Sequence, residues 1–282
     1  MAGKRLKQLL RLYGLYAKMD LAWLMRDTKF FLLAVIADFL SNIAAVTGVF
    51  LLAWRFNGVG SMDKFEVLFM LGYVTTCTGI FQTFFANSNT GHISRRIGRG
   101  QMEHMLIQPL PLPIQLITEG FIPVSGSSNM IAGAIIIGVA VKNLGLQPGL
   151  GWFGLLLLHL STTILILLSL SYLFSSAAFY APVQAEEISS HVLDSTGILS
   201  SYPLSGMTLA IQIPLITIIP AGLLGWFPTL ALLGKPPLGF PSFYPMLMAA
   251  LLYILAYIAF TKGLKHYVKT GTNRYSAVGH RR

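Results

Sequence analysis

The chain has 282 residues, of which 54% are hydrophobic and 11% are charged; 20 Lys and Arg against 10 Asp and Glu give a formal net charge of +10. Soluble domains carry about 25% charged residues, so this composition excludes an ordinary soluble domain. The basic excess does not indicate a nucleic-acid partner, because the cations lie at the two ends of the chain and in one internal loop. That distribution is typical of oriented membrane helices. The composition therefore predicts an all-α integral membrane protein.

Residues 1–29 are predicted to form an amphipathic helix at the cytosolic membrane interface. Leucine and tyrosine side chains recur there at helical spacing, while Lys7, Arg11 and Lys18 share another face. Such a helix lies in the interface with its cations near anionic membrane lipids. A simple basic tail that obeys the positive-inside rule is the alternative.

Six apolar runs provide the roughly 20 residues that a spanning helix needs. They cover residues 30–54, 65–86, 114–141, 151–180, 207–227 and 243–261. The fifth run lies in a stretch dense in Pro and Gly, so part of it is expected to be broken or re-entrant. Residues 30–282 thus form a single transmembrane domain in this prediction.

The Lys and Arg residues set the orientation of the predicted helices. If the N-terminus is cytosolic, sixteen of these residues lie inside and four outside. The positive-inside rule then places both termini, including the basic tail 262–282, in the cytosol.

Five polar residues within or beside the predicted spans are candidates for lining a cavity: Asp38, Asn42, Glu119, Ser128 and Asn129. Asp38 and Asn42 are four residues apart and share a helix face. Charged groups inside a membrane usually face the bundle or a water-filled cavity. The alternative is a structural role, in hydrogen bonds between helices or in close packing, which Ala134 and Gly138 also suggest through their small-residue spacing.

No catalytic or metal site is predicted. The chain lacks G-x-x-x-x-G-K-[ST], H-E-x-x-H, G-x-S-x-G and CxxC, and its six histidines are scattered. These motifs are typical of a phosphate-binding loop, a zinc protease site, a hydrolase nucleophile and a paired-cysteine site, respectively. Cys77 is the only cysteine, so a disulfide within the chain is excluded.

The loop between the second and third predicted spans, residues 91–113, is the most informative segment. Arginines at three positions precede a short amphipathic stretch with Met102, Met105 and Leu106 on one side, and prolines then end it. This pattern predicts a short cytosolic helix that offers an apolar edge and cations to a partner. Periodicity alone equally fits a positive-inside loop whose apolar turn contacts lipid.

The loop resembles that of permease subunits in type-2 ATP-binding-cassette exporters, in the subgroup with a separate ATPase chain. It follows the pattern I-x-x-G-x-[L/M]-[D/E]-x-x-L-x-x-P-x-P from Ile97 to Pro111. Residues 177–194, 201–234 and 263–267 resemble further segments of the same family, in the same order. Gln108 stands where the family usually has Arg, which puts one charge contact with the ATPase in doubt.

This resemblance implies a coupling helix seated on a cytosolic ATPase. The residues assigned to it are Ile93, Arg95, Arg96, Ile97, Arg99, Gly100, Met102, Glu103, Met105 and Leu106. It also implies two copies of the ATPase, which would hold ATP and Mg, and a second permease subunit, the same or different. No cofactor is expected in this chain, and the location implied is the prokaryotic plasma (inner) membrane.

Two other classes of protein were weighed against this resemblance. An ion- or proton-coupled secondary transporter tends to show inverted repeats and midplane charges on broken helices. No repeat relates the two halves of this chain, and Asp38 alone is weak support for a proton pathway. A membrane-embedded enzyme is disfavoured, since no catalytic constellation is found.

Overall fold

The computed structural model describes residues 2–85, 90–110, 112–124 and 126–271, and helices dominate these ranges, as predicted. The α-helices found there are α1 (Ala2–Arg26), α2 (Thr28–Arg55), α3 (Lys64–Phe85), α4 (Thr90–Gly98), α5 (Gln101–Leu106), α6 (Leu112–Thr118), α7 (Ser127–Asn143), α8 (Leu150–Ser175), α9 (Pro182–Ser200), α10 (Leu209–Thr217), α11 (Trp226–Leu232) and α12 (Tyr244–Thr270). Short 3₁₀ turns connect several of them, including Ser176–Phe179 after α8.

Three helices of the described part are long and apolar enough to cross a membrane. They are α3, α8 together with its 3₁₀ extension, and α12, and they overlap the predicted spans 65–86, 151–180 and 243–261. Helix α2 is continuous over 28 residues where the first span was predicted. Six crossings in all stay a prediction.

The predicted third span, residues 114–141, is not one continuous helix. Helix α6 ends at Thr118 and α7 begins at Ser127. Between them Pro123 has no backbone N–H to donate and its ring obstructs the preceding turn of a helix. The Ile122 amide instead donates to the Thr83 carbonyl of α3, at 2.9 Å. The prediction of a continuous helix was wrong because it treated Pro123 as a tolerated residue inside a span.

The predicted fifth span is broken, as its Pro and Gly content indicated. Helix α10 and the segment Pro220–Leu232 meet at an angle of 73°. The chain segments before and after this bent pair lie at the same end of the bundle. Gly60, in the loop after α2, lies against Ser205, and the Tyr244 hydroxyl at the start of α12 contacts the Ile216 carbonyl of α10. We call this the far end, and the end that carries α4 to α6 the loop end.

Helix α9 runs from the loop end toward the far end. Near its start, Glu186 pairs with Arg95 of α4. At its other end, Ser200 lies beside Gly225, which also contacts Val74 of α3. This 19-residue helix covers most of the segment 177–194 that resembles the family.

Glycines let α3 and α7 pack with their backbones in close approach. A Cβ atom at Gly79 of α3 would overlap the backbone of Met130, and one at Gly133 of α7 would overlap Thr76. Gly138 has open space around its Cα, and Ala134 is exposed. The small-residue contact therefore uses a different face of α7 from the one that the sequence suggested.

The main hydrophobic core lies toward the far end, where α11 is enclosed by α3, α8 and α12. Trp226 and Phe227 are buried there against side chains of these three helices, among them Met70, Ile166 and Leu252. The Trp226 indole N–H donates to the Ser205 hydroxyl at 2.7 Å, so this buried ring has its polar group satisfied. The bent pair is thus packed into the bundle.

A capping box and an ion pair fix the start of α3. The Asp63 carboxylate accepts the Glu66 amide at 3.0 Å, and the Glu66 carboxylate accepts the Asp63 amide at 3.1 Å. Lys235, after α11, donates to the other oxygen of Glu66 at 2.6 Å. Because the Glu66 side chain is only 6% exposed, Lys235 supplies its compensating charge.

Replacing Lys235 with Met is expected to lower the thermal stability of the protein. The buried Glu66 carboxylate would lose its cation, at a cost of about 1 kcal/mol after screening by solvent around the exposed lysine. The hydrogen bond and charge of Glu66 raise the pKa of Lys235. The difference in Tm should therefore hold from neutral pH up to the ordinary lysine pKa, and shrink only as the pH rises through the raised value.

Lys142→Met is the matched control for this experiment, since Lys142 is exposed and has no ion pair among the described residues. Both variants are compared with wild type by thermal unfolding in detergent. Equal Tm values for Lys235→Met and wild type would show that Glu66 does not depend on this pair.

Candidate functional site

The coupling loop, residues 91–113, folds into α4 and α5 and leads into α6. Gly100 separates the first two helices with a φ of +70°, a left-handed conformation that favours glycine. Helix α5 ends at Leu106, shortly before Pro109. The predicted short helix is therefore present as two pieces joined at a glycine.

The apolar side of the coupling loop is buried within this chain. Ile93, Ile97 and Met102 are 0% exposed, and Met105 is 6% exposed. They form a cluster with side chains of α6, α9, α12 and the turn after α8: Leu116, Ala178, Phe179, Ala185 and Tyr267. Ile97 and Met105 were expected to contact the ATPase, but in this arrangement they hold the loop on its own bundle.

Two neighbouring arginines point to different partners. Arg95 Nη2 lies 3.3 Å from Glu186 Oε1 of α9. Arg96 Nη2 lies 2.7 Å from Glu119 Oε2, in the segment between α6 and α7. Helix α4 is thereby braced to two separate parts of the bundle. These roles were not foreseen, since a run of arginines in a loop gives no sign of which carboxylates it meets.

The outward edge of the coupling loop consists of other residues. Arg99 is exposed, Leu106 is 39% exposed and Ile107 is 82% exposed. Glu103 is half-buried, and Gly100 is buried at the break between the helices. Of the predicted coupling residues, Arg99 and Leu106 thus face away from the bundle, and Ile107 joins them although it was not predicted.

Helix α1 packs against the segment that carries Glu119. The Asp20 carboxylate accepts the Val124 amide at 2.8 Å, and the Tyr13 ring meets Phe121 edge-on with centroids 5.0 Å apart. Burial raises the pKa of Tyr16, and the charge of Glu119 raises it further. The N-terminal helix is therefore linked to the coupling loop through residues 119–124.

A cavity of about 700 Å³ lies above the coupling loop. It is lined by one stripe of α3, one face of α9 and single residues of four other helices: Val46, Leu71, Val74, Thr75, Thr78, Phe81, Gln82, His92, Asn129, Leu167, Leu193, Asp194, Gly197, Ile198 and Ser201. Pockets of about 300–1,000 Å³ are the size that holds small molecules.

Of the three predicted cavity residues whose side chains the structure describes, one lines this cavity. Asn129 donates from Nδ2 to Gln82 Oε1 at 2.7 Å. Glu119 instead pairs with Arg96 at the loop end, and Ser128 is not among the lining residues. The side chains of Asp38 and Asn42 lie outside the described part of the structure.

Sequence reasoning missed Gln82, His92 and Asp194 as lining residues. Gln82 is an isolated polar residue in the apolar run 65–86, and the other two lie outside the predicted spans. The pKa of His92 is lowered, mainly by burial and also by Arg95 and Arg96, so this imidazole is neutral at pH 7. Among the residues described, no group of three or more His, Cys, Asp or Glu is placed to hold a metal ion.

The model of one protein family, described as ABC-2 family transporter protein, matches residues 39–271. The chain belongs to this family. As an ABC-2 family protein it is an integral membrane permease of an ABC transporter, and proteins of this family work with ATPase subunits. Comparison with curated proteins finds no match, and comparison with solved structures finds none either.

Proposed function

We propose that this ABC-2 permease forms the substrate pathway of an ATP-driven exporter and is coupled to a separate cytosolic ATPase through the outward edge of the coupling loop. The observation that supports this most directly is the way the loop is held. Its apolar side is buried in the bundle, while Arg99, Leu106 and Ile107 face outward. A loop anchored on one side and exposed on the other is suited to receive a partner.

The two ion pairs give this loop a means of transmitting movement. A push on α4 would reach α9 through Arg95, and through Arg96 it would reach Glu119 in the segment that leads into α7. Both α7 and α9 contribute lining residues to the cavity. Packed elements move as units because a dense interior does not deform continuously. Closure of the ATPase would therefore change the shape of the cavity.

The proposed transporter contains two copies of the ATPase, which hold ATP and Mg, and a second permease subunit, the same or different. The loop end faces the cytosol, both termini lie there, and the complex resides in a prokaryotic plasma membrane. Six helices cross the membrane: α2, α3, α7, α8, α9 and α12. In this arrangement α9 is the fifth crossing, and the bent pair turns back at the far end.

Placing negative charge on the outward edge is expected to uncouple the transporter without unfolding it. Arg99→Glu combined with Ile107→Asp should abolish the stimulation of ATP hydrolysis by the permease, because both side chains are exposed and neither is used within the bundle. The measurement is ATP hydrolysis and transport in proteoliposomes that contain the permease and its ATPase.

Arg55→Glu serves as the control, since Arg55 is an exposed arginine at the C-terminal end of α2, at the far end of the bundle. It should retain full coupling. Normal coupling in the Arg99→Glu, Ile107→Asp variant would contradict the proposed docking edge, and transport that persists without ATP would contradict the ATP-driven mechanism itself.

A further inference from the structure

The lining of the cavity changes from mainly apolar to more polar along the length of the helices that form it. On α3 the lining stripe runs from Leu71 through Thr78 to Gln82, at helical spacing. This stripe is about 16 Å long at 1.5 Å per residue. The Thr75 hydroxyl donates to the Leu71 carbonyl at 2.8 Å. Its proton is therefore not available to a ligand in the cavity.

The ionisable lining residues and the Asn129–Gln82 pair lie toward the loop end, whereas Ser201, next to Ser200, lies at the height of Val74. Asn129 is bonded to Gln82, and His92 belongs to α4. Val74 and Ser200 both contact Gly225, which puts them at one height. Since α3 and α9 run in opposite directions, Asp194 lies about 9 Å closer to the loop end than Ser200, and Gln82 about 12 Å closer than Val74. Asp194 is therefore near the height of Gln82.

The opposite part of the cavity is lined mainly by apolar side chains, and its polar residues are Thr75 and Ser201. Val46, Leu71, Val74 and Leu167 come from three different helices and line it without an ionisable group among the described lining residues. Asp194 and His92 are the ionisable residues of the described lining, and both belong to the polar part. Toward the far end the lining is mainly apolar and has no ionisable group, and toward the loop end it holds Asp194 and His92; we call that part the polar compartment.

Asp194 supplies the net charge of the polar compartment. His92 is neutral at pH 7, because burial and the nearby arginines lower its pKa. Those arginines, Arg95 and Arg96, are themselves paired with Glu186 and Glu119. Asp194 is exposed and has no hydrogen bond or ion pair within the described chain. Its carboxylate is therefore available to a ligand.

We propose that this cavity binds a hydrophobic organic cation, with the apolar body among Val46, Leu71 and Leu167 and the positive charge beside Asp194. A carboxylate next to an apolar wall attracts a cation and repels an anion of the same size. The proposal rests on the proposed function, because it takes the cavity as part of the substrate pathway. It assigns to that pathway a chemical class of cargo.

The test uses two probes of matched size and opposite charge, radiolabelled tetraphenylphosphonium and tetraphenylborate. Equilibrium binding is measured to the full-length permease in lipid nanodiscs, with empty nanodiscs as the background. The wild-type protein should bind the phosphonium saturably and the borate no more than empty discs do. Asp194→Asn should weaken phosphonium binding about tenfold, because it removes the charge and keeps the shape.

Glu187→Gln is the matched control, since Glu187 is an exposed acid on the same helix and does not line the cavity. It should leave phosphonium binding unchanged. Thr78→Trp fills the cavity from α3 and should abolish phosphonium binding. Each variant is first shown to elute as wild type in size-exclusion chromatography, so that lost binding is not lost folding.

Equal binding of the borate, an unchanged affinity in Asp194→Asn, or phosphonium binding that survives Thr78→Trp would each overturn the proposal. These measurements need neither ATP nor the ATPase. If phosphonium fails to bind while changes at Arg99 still uncouple ATP hydrolysis, the inference about cargo fails and the proposed function stands. If phosphonium binds as expected while changes in the loop leave coupling unaffected, the proposed function fails and the observed binding stands.

Discussion

Reversing the charge of Arg96 is expected to abolish ATPase-coupled transport, and reversing Glu119 at the same time is expected to restore much of it. The Arg96 side chain is 14% exposed and lies 2.7 Å from the Glu119 carboxylate. Arg96→Glu would place two carboxylates in that position and cost of the order of 2 kcal/mol, allowing for the partial exposure of Glu119. The coupling loop would then lose its link to the segment between α6 and α7.

The measurement is ATP hydrolysis and substrate transport in proteoliposomes, with membrane insertion checked separately. Glu119→Arg alone should also uncouple, whereas the double variant re-forms an ion pair of opposite sense. This pattern separates an internal brace from a docking contact, because a partner surface that recognises Arg96 would not accept the exchange. A double variant no better than Arg96→Glu, or a single variant with normal coupling, would contradict the brace.

Replacing Gly79 with Ala is expected to be among the most destabilising single substitutions in the chain. A Cβ atom there would overlap the backbone of Met130 and Asn129 in α7, and backbone cannot move aside as a flexible side chain can. Overpacking of this kind costs about 1–3 kcal/mol, occasionally more, and we expect the upper part of that range. Displacing Asn129 would also disturb the cavity wall that it shares with Gln82.

Gly138→Ala provides the comparison, since nothing lies within 4 Å of the position that its Cβ would take. Alanine there should be neutral or slightly stabilising, because it favours helix over glycine. Thermal unfolding in detergent measures both variants. Similar Tm values for the two would mean that α3 and α7 do not pack through Gly79.

The apolar runs predicted α3, α8 and α12 because a long unbroken hydrophobic stretch has few alternatives to a spanning helix. The break before α7 was missed because a proline inside a membrane helix can be either tolerated or helix-ending. Only the contact of Ile122 with Thr83 decides between these outcomes. Helix α9 was not predicted because its polar residues interrupt the apolar run by which a spanning helix is recognised.

The family resemblance singled out residues 91–113, but periodicity could not say what covers the apolar side of this loop. Ile97 and Met105 looked equally suited to a partner and to the chain's own helices, and burial against Phe179 and Tyr267 shows the second. Ion pairs such as that of Arg96 join residues distant in sequence, which no local pattern reveals. Asp38 and Asn42 stay predictions, since their side chains are outside the described ranges.

The polar character of α9 has a consequence for the biogenesis of the protein. Glu186, Glu187 and Asp194 each carry a penalty of about 3 kcal/mol at the centre of a membrane segment, less near its ends, when a helix is inserted alone. Glu186 is relieved by Arg95, which belongs to a part of the chain synthesised earlier. If α9 crosses the membrane as proposed, its insertion by the translocon depends on helices that are already in place, and this helix joins the bundle late and only as part of it.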